Sequence, residues 1–465
     1  MTDESATSFD VIVIGAAPAG EVLAGRLGTA GLSTAIVERA LVGGECSFYA
    51  WMPSKALLRP PQAFAETRRV PGAAEAMTGS LDVTTMLGRR DAVVAHLDDA
   101  GQVPWLQTRG VTLLRGRARL AGERRVQVDD LVYEARKAVA IAVGSVAEIP
   151  PIPGVADARR WTNREATTSD TIPPRLINLG GGVVGVEMAD AYRAMGSEVV
   201  VIEQGDRLVA HVEPFASDQL VDALRGRGID VRLSAHIDRV DRSGGVVTIR
   251  LGDGTRVEGE ELLVAVGRRP PTDESGSGDD RPEGRRVHRR RRRLSVSGLP
   301  WLYAIGDVNG QALLTHIAKR QAHIASERIL GRRSDPVAAG VGSPQVIFTE
   351  PQTAAVGLTL DDAVRAGHLA RAYDVPTSGT AGASFVGRGA PGTSRIVVDE
   401  QTGRVVGATF VGPDVSEWLH AATIAVVGKV SIDQLWHAVP AFPTRSEVWL
   451  KLLEARETEL ASVAA

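Results

Sequence analysis

A strand, a small-residue turn and a helix follow one another twice in this chain, and that repeated pattern limits the fold more than any other feature. The first copy reads Phe9-Asp10-Val11-Ile12-Val13-Ile14-Gly15-Ala16-Ala17-Pro18-Ala19-Gly20, with a helical stretch over 21–31 and a strand over 33–37 that ends in Glu38. The second reads Arg175-Leu176-Ile177-Asn178-Leu179-Gly180-Gly181-Gly182-Val183-Val184-Gly185, with a helix over 186–195 and a strand over 198–202 that ends in Glu203. An unalternated β-branched run reads as a strand buried on both faces. A turn without bulky side chains lets the backbone approach a pyrophosphate at a helix N-terminus. An acid at the end of the next strand accepts bonds from ribose hydroxyls. Two such units predict two nucleotide sites on two domains, most simply one flavin and one nicotinamide. The first copy carries Ala17 where the middle glycine belongs. In the second, the Glu203 carboxylate would repel a 2′-phosphate, which favours NADH over NADPH; the nearby Arg207 moderates that preference.

Composition narrows the chemistry. The 465 residues include one cysteine, Cys46, so no disulfide and no cysteine-built metal centre can form within one chain. A formal charge of −3 argues against a dedicated nucleic-acid binder. No run of about 18 apolar residues suggests a membrane span. The N-terminus is polar and acidic, unlike a secretory leader, and the expected location is the cytoplasm.

A segment between the two turns makes the reading specific. Val42-Gly43-Gly44-Glu45-Cys46-Ser47-Phe48-Tyr49-Ala50-Trp51-Met52-Pro53-Ser54-Lys55 resembles the active-site helix start of the pyridine nucleotide–disulfide oxidoreductases, the family of dihydrolipoamide dehydrogenase and mercuric reductase. Their pattern is G-G-x-C-x4-C-x-P-S-K. Further likenesses run through the chain: Ala140–Ser145, Gly180–Glu187, Ala265-Val266-Gly267-Arg268-Arg269-Pro270, Tyr303-Ala304-Ile305-Gly306-Asp307, Leu314-Thr315-His316, Phe348-Thr349-Glu350-Pro351 and Val356-Gly357-Leu358-Thr359. The resemblance implies an α/β fold with two Rossmann-like nucleotide-binding domains, for FAD and NAD, and a C-terminal α+β dimerisation domain. The expected boundaries are 1–150 and 272–340 for the two parts of the FAD portion, 151–271 for the NAD(P) domain and 341–465 for the dimerisation domain.

The resemblance also assigns roles. Gly15, Ala17, Ala19, Gly20, Glu38, Gly44, Lys55, Gly144, Gly306 and Asp307 would hold FAD, with Asp307 accepting bonds from the ribityl hydroxyls. Leu314, Thr315 and His316 would meet the flavin ring. Gly180, Gly182, Gly185, Glu203 and Gly267 would hold NADH. Lys55 would stand near flavin N5 and pair with Glu187 across the domain interface. A cation there favours the reduced, anionic flavin.

Two departures bear on the reaction. Trp51 stands where the second redox cysteine belongs, so a lone Cys46 cannot store two electrons as an intramolecular disulfide. Near the C-terminus the family motif H-P-T-x-S-E reads Phe442-Pro443-Thr444-Arg445-Ser446-Glu447, and Phe442 cannot transfer protons. Glu447 is then left with no imidazole to orient. The expected protein is an FAD-dependent NAD(P)H oxidoreductase that hands electrons directly to a small-molecule acceptor, such as a quinone, dye, oxygen or small thiol or disulfide. Two alternatives stay open: a reductase working through a Cys46 mixed disulfide, and a catalytically weak flavoprotein subunit. Cys46, Lys55, Glu187 and Glu447 are the candidate catalytic residues. A homodimer is expected, with a hairpin around Gln401-Thr402-Gly403 and helices over 415–427 and 444–456 in its C-terminal part.

One stretch departs from the family. Residues 281–293 hold eight arginines against one acid. It reads as a solvated run, a functional basic patch, or the product of a compensated reading-frame shift that recovers register at Leu294.

Overall fold

The computed structural model describes residues 8–271, 294–333, 342–387, 389–390 and 392–464; the arginine-rich stretch 281–293 lies outside the described residues. The chain divides into two compact units. One is built from Met1–Pro53, Arg90–Glu148 and Arg268–Ala339, the other from Ser54–Arg89, Ile149–Gly267 and Gly340–Ala465.

In the first unit the strand Ser8–Ile14 lies in the middle of a sheet, parallel to Thr34–Glu38 on one side and to Leu131–Ile141 on the other. Val111–Arg115 and Leu299–Ala304 extend the parallel order outward. Val11 and Val13 face one apolar core, shared with Leu23 and Leu27 of the helix Pro18–Thr29 and with Ala318 and Ala322 of Thr315–Ile329. Ile12 and Ile14 face the other, with Val126, Val139 and Trp301. Burial on both faces explains why this strand is an unbroken apolar run.

The second unit repeats the motif. Arg175–Leu179 pairs in parallel with Glu198–Ile202 and with Glu261–Val264, and Asp230–Arg232 forms the far edge. A three-stranded antiparallel sheet, Ile237–Ser243, Val246–Leu251 and Arg256–Gly259, follows in the chain. The C-terminal part is a five-stranded antiparallel sheet in which Thr393–Asp399 and Arg404–Gly412 form the expected hairpin. The fold is thus the α/β architecture expected from the sequence, with two glycine-turn βαβ units and a C-terminal α+β part.

Helix limits differ from the reading of the sequence. The two turn helices begin at Pro18 and Val183, several residues earlier than expected. Their first turns are part of the glycine turn itself, and Pro18 at a helix start loses no amide that the helix could have used. The expected helix over 415–427 is a short 3-10 turn, Val415–Glu417, followed by Leu419–Gly428, and it stops at Lys429, which has a φ of 54°. The expected 444–456 helix is a 3-10 turn, Arg445–Glu447, leading into Val448–Ala464. No described helix is long and apolar enough to cross a membrane.

Candidate functional site

The two glycine turns have nearly the same geometry. Gly15 and Gly180 have φ of 101° and 102°, a left-handed conformation open to glycine, and a Cβ on either would come within 2.5 Å of a carbonyl oxygen, that of Ala142 or Ala265. Each turn is pinned from both sides. The Gly15 and Gly180 amides donate to Val37 and Ile202, and the Ala142 and Ala265 amides donate to Ile14 and Leu179. Gly20 and Gly185 bring helix and strand together: a Cβ there would sit 1.9 and 2.0 Å from the carbonyl oxygens of Gly15 and Gly180. Both helices begin without a side-chain cap, so their first N–H groups are available to an anion.

Glu38 and Glu203 brace the turns in the same way. Glu38 accepts the amides of Ala16 and Ala40, both at 2.8 Å. Glu203 accepts those of Gly181 and Gly205, both at 2.6 Å. Each carboxylate oxygen keeps a lone pair for a hydroxyl donor. These cradles, which a single added methyl would fill, and the uncapped helix starts fit dinucleotides in both units.

Further candidates of the first unit collect around Asp307, which opens the 3-10 turn Asp307–Asn309 after the strand Leu299–Ala304. Ser145, one residue past Gly144, donates its hydroxyl to Asp307 Oδ2 at 2.6 Å. Arg268 donates from Nε to Ser145 Oγ at 2.8 Å and from Nη2 to the Ser145 carbonyl at 2.7 Å. Burial pushes the Asp307 carboxyl above the usual aspartate range, opposed by the Ser145 bond and the Arg268 charge. Gly306 packs near Ala19 and donates its amide to Gln321 Oε1 at 2.8 Å. The Gly43 amide donates to Ala16, so the cysteine segment is fastened to the first turn, and Gly44 lies against Ala17. Thr315 donates its hydroxyl to Cys46 Sγ at 3.2 Å, a bond that favours a thiolate. Leu314 is the N-cap residue of the Thr315–Ile329 helix, and His316 is exposed on its first turn. Trp51 opens the Trp51–Arg69 helix and is partly buried.

In the second unit Lys55 Nζ meets Glu187 Oε2 at 2.7 Å, and the other Glu187 oxygen accepts the Phe348 amide at 2.9 Å. Lys55 also stands over the Phe348 ring, 4.7 Å from its centre. Glu187 is nearly buried, so removing the lysine would leave an uncompensated charge, at a cost of about 3–5 kcal/mol. The next turn of the same helix presents Asp190, which accepts the Glu350 amide at 3.0 Å and pairs with Arg227 at 2.8 Å. Its burial lifts the carboxyl to about 6. Glu350 in turn pairs with Arg69 at 2.7 Å. The Phe348–Pro351 motif is therefore held by two acids of one helix and two side chains of another, Arg69 and Gln62, which donates to the Phe348 carbonyl.

Among the described residues Glu447 accepts a hydrogen bond only from the Gly382 amide, at 3.4 Å, and Phe442 is 78% exposed. Gly267 follows the Glu261–Val264 strand in the second unit.

Ser145, Arg268, Asp190 and Gln321 were not among the residues expected from the sequence. Ser145 and Arg268 lie inside recognisable motifs, which was the available signal. Gln321 had none, since its role depends on which helix face the fold buries. Among the described residues no cluster of three or more metal-ligating side chains occurs.

Comparison with known proteins agrees with this geometry. Residues 9–322 match the pyridine nucleotide-disulphide oxidoreductase family, and residues 343–453 match the dimerisation domain of the same family. The chain belongs to that family. A dihydrolipoyl dehydrogenase of Chlamydia muridarum is 30% identical over 456 residues, covering 95% of each chain. One of Thermus scotoductus is 32% identical over 460 residues, covering 96% of this chain and 97% of that one. Among solved structures, the HOCl-induced flavoprotein disulfide reductase RclA of Escherichia coli superposes with a TM-score of 0.84 at 24% identity, covering 96% and 99% of the two chains, a likeness of fold. LpdA of Mycobacterium tuberculosis gives 0.83 at 25% identity with the same coverage. The protein is an FAD-dependent pyridine nucleotide oxidoreductase, and its dimerisation domain supports a homodimer.

Proposed function

We propose that this protein oxidises NADH and passes the electrons from FAD directly to a small-molecule acceptor, without an intramolecular dithiol relay. A single observation carries the reading: the chain has one cysteine, Cys46, with Trp51 at the family's second cysteine position and Phe442 at its histidine position. When bound, FAD would supply the hydride-accepting and electron-donating chemistry between the nicotinamide and the acceptor. The first-unit turn and Glu38 hold the adenine-side ribose and pyrophosphate of FAD. Asp307 receives the ribityl hydroxyls. The second-unit turn does the same for NADH, and the negative charge of the Glu203 carboxylate, which is held in place by the Gly181 and Gly205 amides, disfavours a 2′-phosphate. Lys55 supplies positive charge for the reduced flavin and is itself oriented by Glu187. Quinones, dyes, oxygen and small thiols or disulfides are the acceptor classes compatible with this chemistry.

Anaerobic titration with NADH tests the reading. The expected result is uptake of two electrons per FAD with no long-wavelength thiolate–flavin band. Uptake of four electrons would overturn it. The Thr315 hydroxyl on Cys46 favours a second reading, in which Cys46 forms a mixed disulfide with a small thiol. Cys46→Ser separates the two: quinone reduction stays within about twofold of wild type under the first, and turnover with disulfides is abolished under the second.

A further inference from the structure

Arginine can donate hydrogen bonds but cannot accept them, and this fixes the polarity of the small network around Asp307. Arg268 Nε–H occupies the Ser145 oxygen at 2.8 Å, and Arg268 Nη2–H occupies the carbonyl of the same residue at 2.7 Å. Ser145 is only 5% exposed. Its hydroxyl has one proton, and that proton lies on Asp307 Oδ2 at 2.6 Å. Oδ2 is therefore held as an acceptor. Oδ1 makes no hydrogen bond among the described residues and keeps both lone pairs for an incoming donor. The backbone of Asp307 is fixed independently, because Gln321 Oε1 accepts both the Gly306 amide and Asn309 Nδ2. One further charge completes the surroundings: Glu45 Oε2 lies 3.5 Å from Arg268 Nη2, and Glu45 raises the Asp307 carboxyl where Arg268 lowers it.

We infer that Arg268 is a positioning residue that acts through the Ser145 hydroxyl to keep Asp307 ionised and aimed as the acceptor for the ribityl hydroxyls of FAD. The inference rests on the reading that Asp307 binds FAD. It adds that the affinity depends on a guanidinium that reaches Asp307 through another side chain. Without Arg268, the Ser145 proton is free to turn away, and burial together with Glu45 raises the Asp307 carboxyl further. A protonated Asp307 is a weaker acceptor, so the loss of affinity grows as the pH falls.

The test is FAD binding to the deflavinated full-length protein, followed by flavin fluorescence between pH 5 and pH 8. Arg268→Gln should weaken binding about tenfold at neutral pH, in line with one charge-assisted contact, and by more at pH 5. Asp307→Asn should weaken it at least as much. In the Asp307→Asn background, Arg268→Gln should change affinity by less than about twofold, because its route to the cofactor is gone. Arg269→Gln, which removes the adjacent charge of the two-residue strand Arg268–Arg269, should leave affinity unchanged. A loss from Arg268→Gln that persists undiminished in Asp307→Asn, or that does not vary with pH, overturns the inference and leaves the FAD reading of Asp307 intact. An Asp307→Asn protein with wild-type affinity overturns both. Where Arg268→Gln fails to fold, Ser145→Ala serves in its place: it keeps both charges, interrupts the connection, and must show the same coupling to Asp307→Asn.

Discussion

The two glycine turns share a backbone, but only the second spells the full fingerprint. Ala17 and Gly182 occupy the equivalent position, with φ and ψ of −82° and 174° in one and −75° and −179° in the other. Both are extended conformations that any L-residue adopts. The alanine is therefore not a backbone defect. Its surroundings differ instead. A Cβ at Gly44 would lie 2.8 Å from the Ala17 methyl, whereas a Cβ at Gly182 would meet nothing nearer than the Ala265 carbonyl at 3.9 Å. The first turn has become part of the packing of the Gly43–Cys46 segment, and the second stands open. A missing glycine signals a lost site only where the dihedral angle or a backbone approach requires glycine, and here those constraints fall at Gly15 and Gly20.

The strongest way to break this comparison is to place a methyl where both turns forbid one. Gly20→Ala and Gly185→Ala each force a Cβ to about 2 Å from a backbone oxygen, and backbone cannot move aside as a flexible side chain can. Gly20→Ala should purify without bound flavin, with its FAD affinity reduced on the order of a hundredfold or more. Gly185→Ala should keep its flavin, while NADH reduces it at least about a hundredfold less efficiently. The flavin absorbance of the purified proteins and the stopped-flow rate of bleaching by NADH read the two outcomes separately. Flavin loss from Gly185→Ala alone would show that the turns do not serve separate nucleotides.

A smaller effect is expected at Glu203, whose contacts repeat those of Glu38 but whose task in discrimination is its own. Glu203→Ser removes the charge opposed to a 2′-phosphate, and the NADH-to-NADPH preference, taken as the ratio of kcat/KM values, should fall by about tenfold. The same substitution at Glu38 should lower FAD content and leave that ratio unaltered. Smaller again is the exchange at the middle position. Gly182→Ala should cost less than about 1 kcal/mol of stability, because the dihedral already suits alanine. Any loss should appear in the KM for NADH, where the methyl faces the nucleotide.

How much of this could be read in advance varied with the kind of constraint. The strands, the turns and their acids were legible because a nucleotide turn needs small residues and a carboxylate at nearly fixed spacing, so local sequence carries the information. The Arg268–Ser145–Asp307 network was not, although its members lie in known motifs. Its hydrogen bonds join residues more than a hundred positions apart, and only the folded sheet brings them together. Asp190 was missed for a similar reason. It sits one helical turn beyond Glu187, and only the docking of Phe348–Pro351 shows that both acids face the same backbone. The helices start earlier than the sequence predicts because their first residues belong to the same cradle as the glycines.

One further difference between the turns gives a pH signature. Glu21 in the first helix corresponds to Val186 in the second, which is fully buried. Burial and the charge of Glu38 raise the Glu21 carboxyl from about 4.5 to about 7, opposed by Lys319. Between those values the folded protein holds a proton that the unfolded chain has already lost, so stability falls as the pH rises from about 4.5 and levels off above about 7. The shift corresponds to at most about 3 kcal/mol. Glu21→Gln should match wild type in thermal unfolding at pH 5 and exceed it by a few degrees at pH 8. A gap that stays constant across that range would mean that Glu21 is charged throughout.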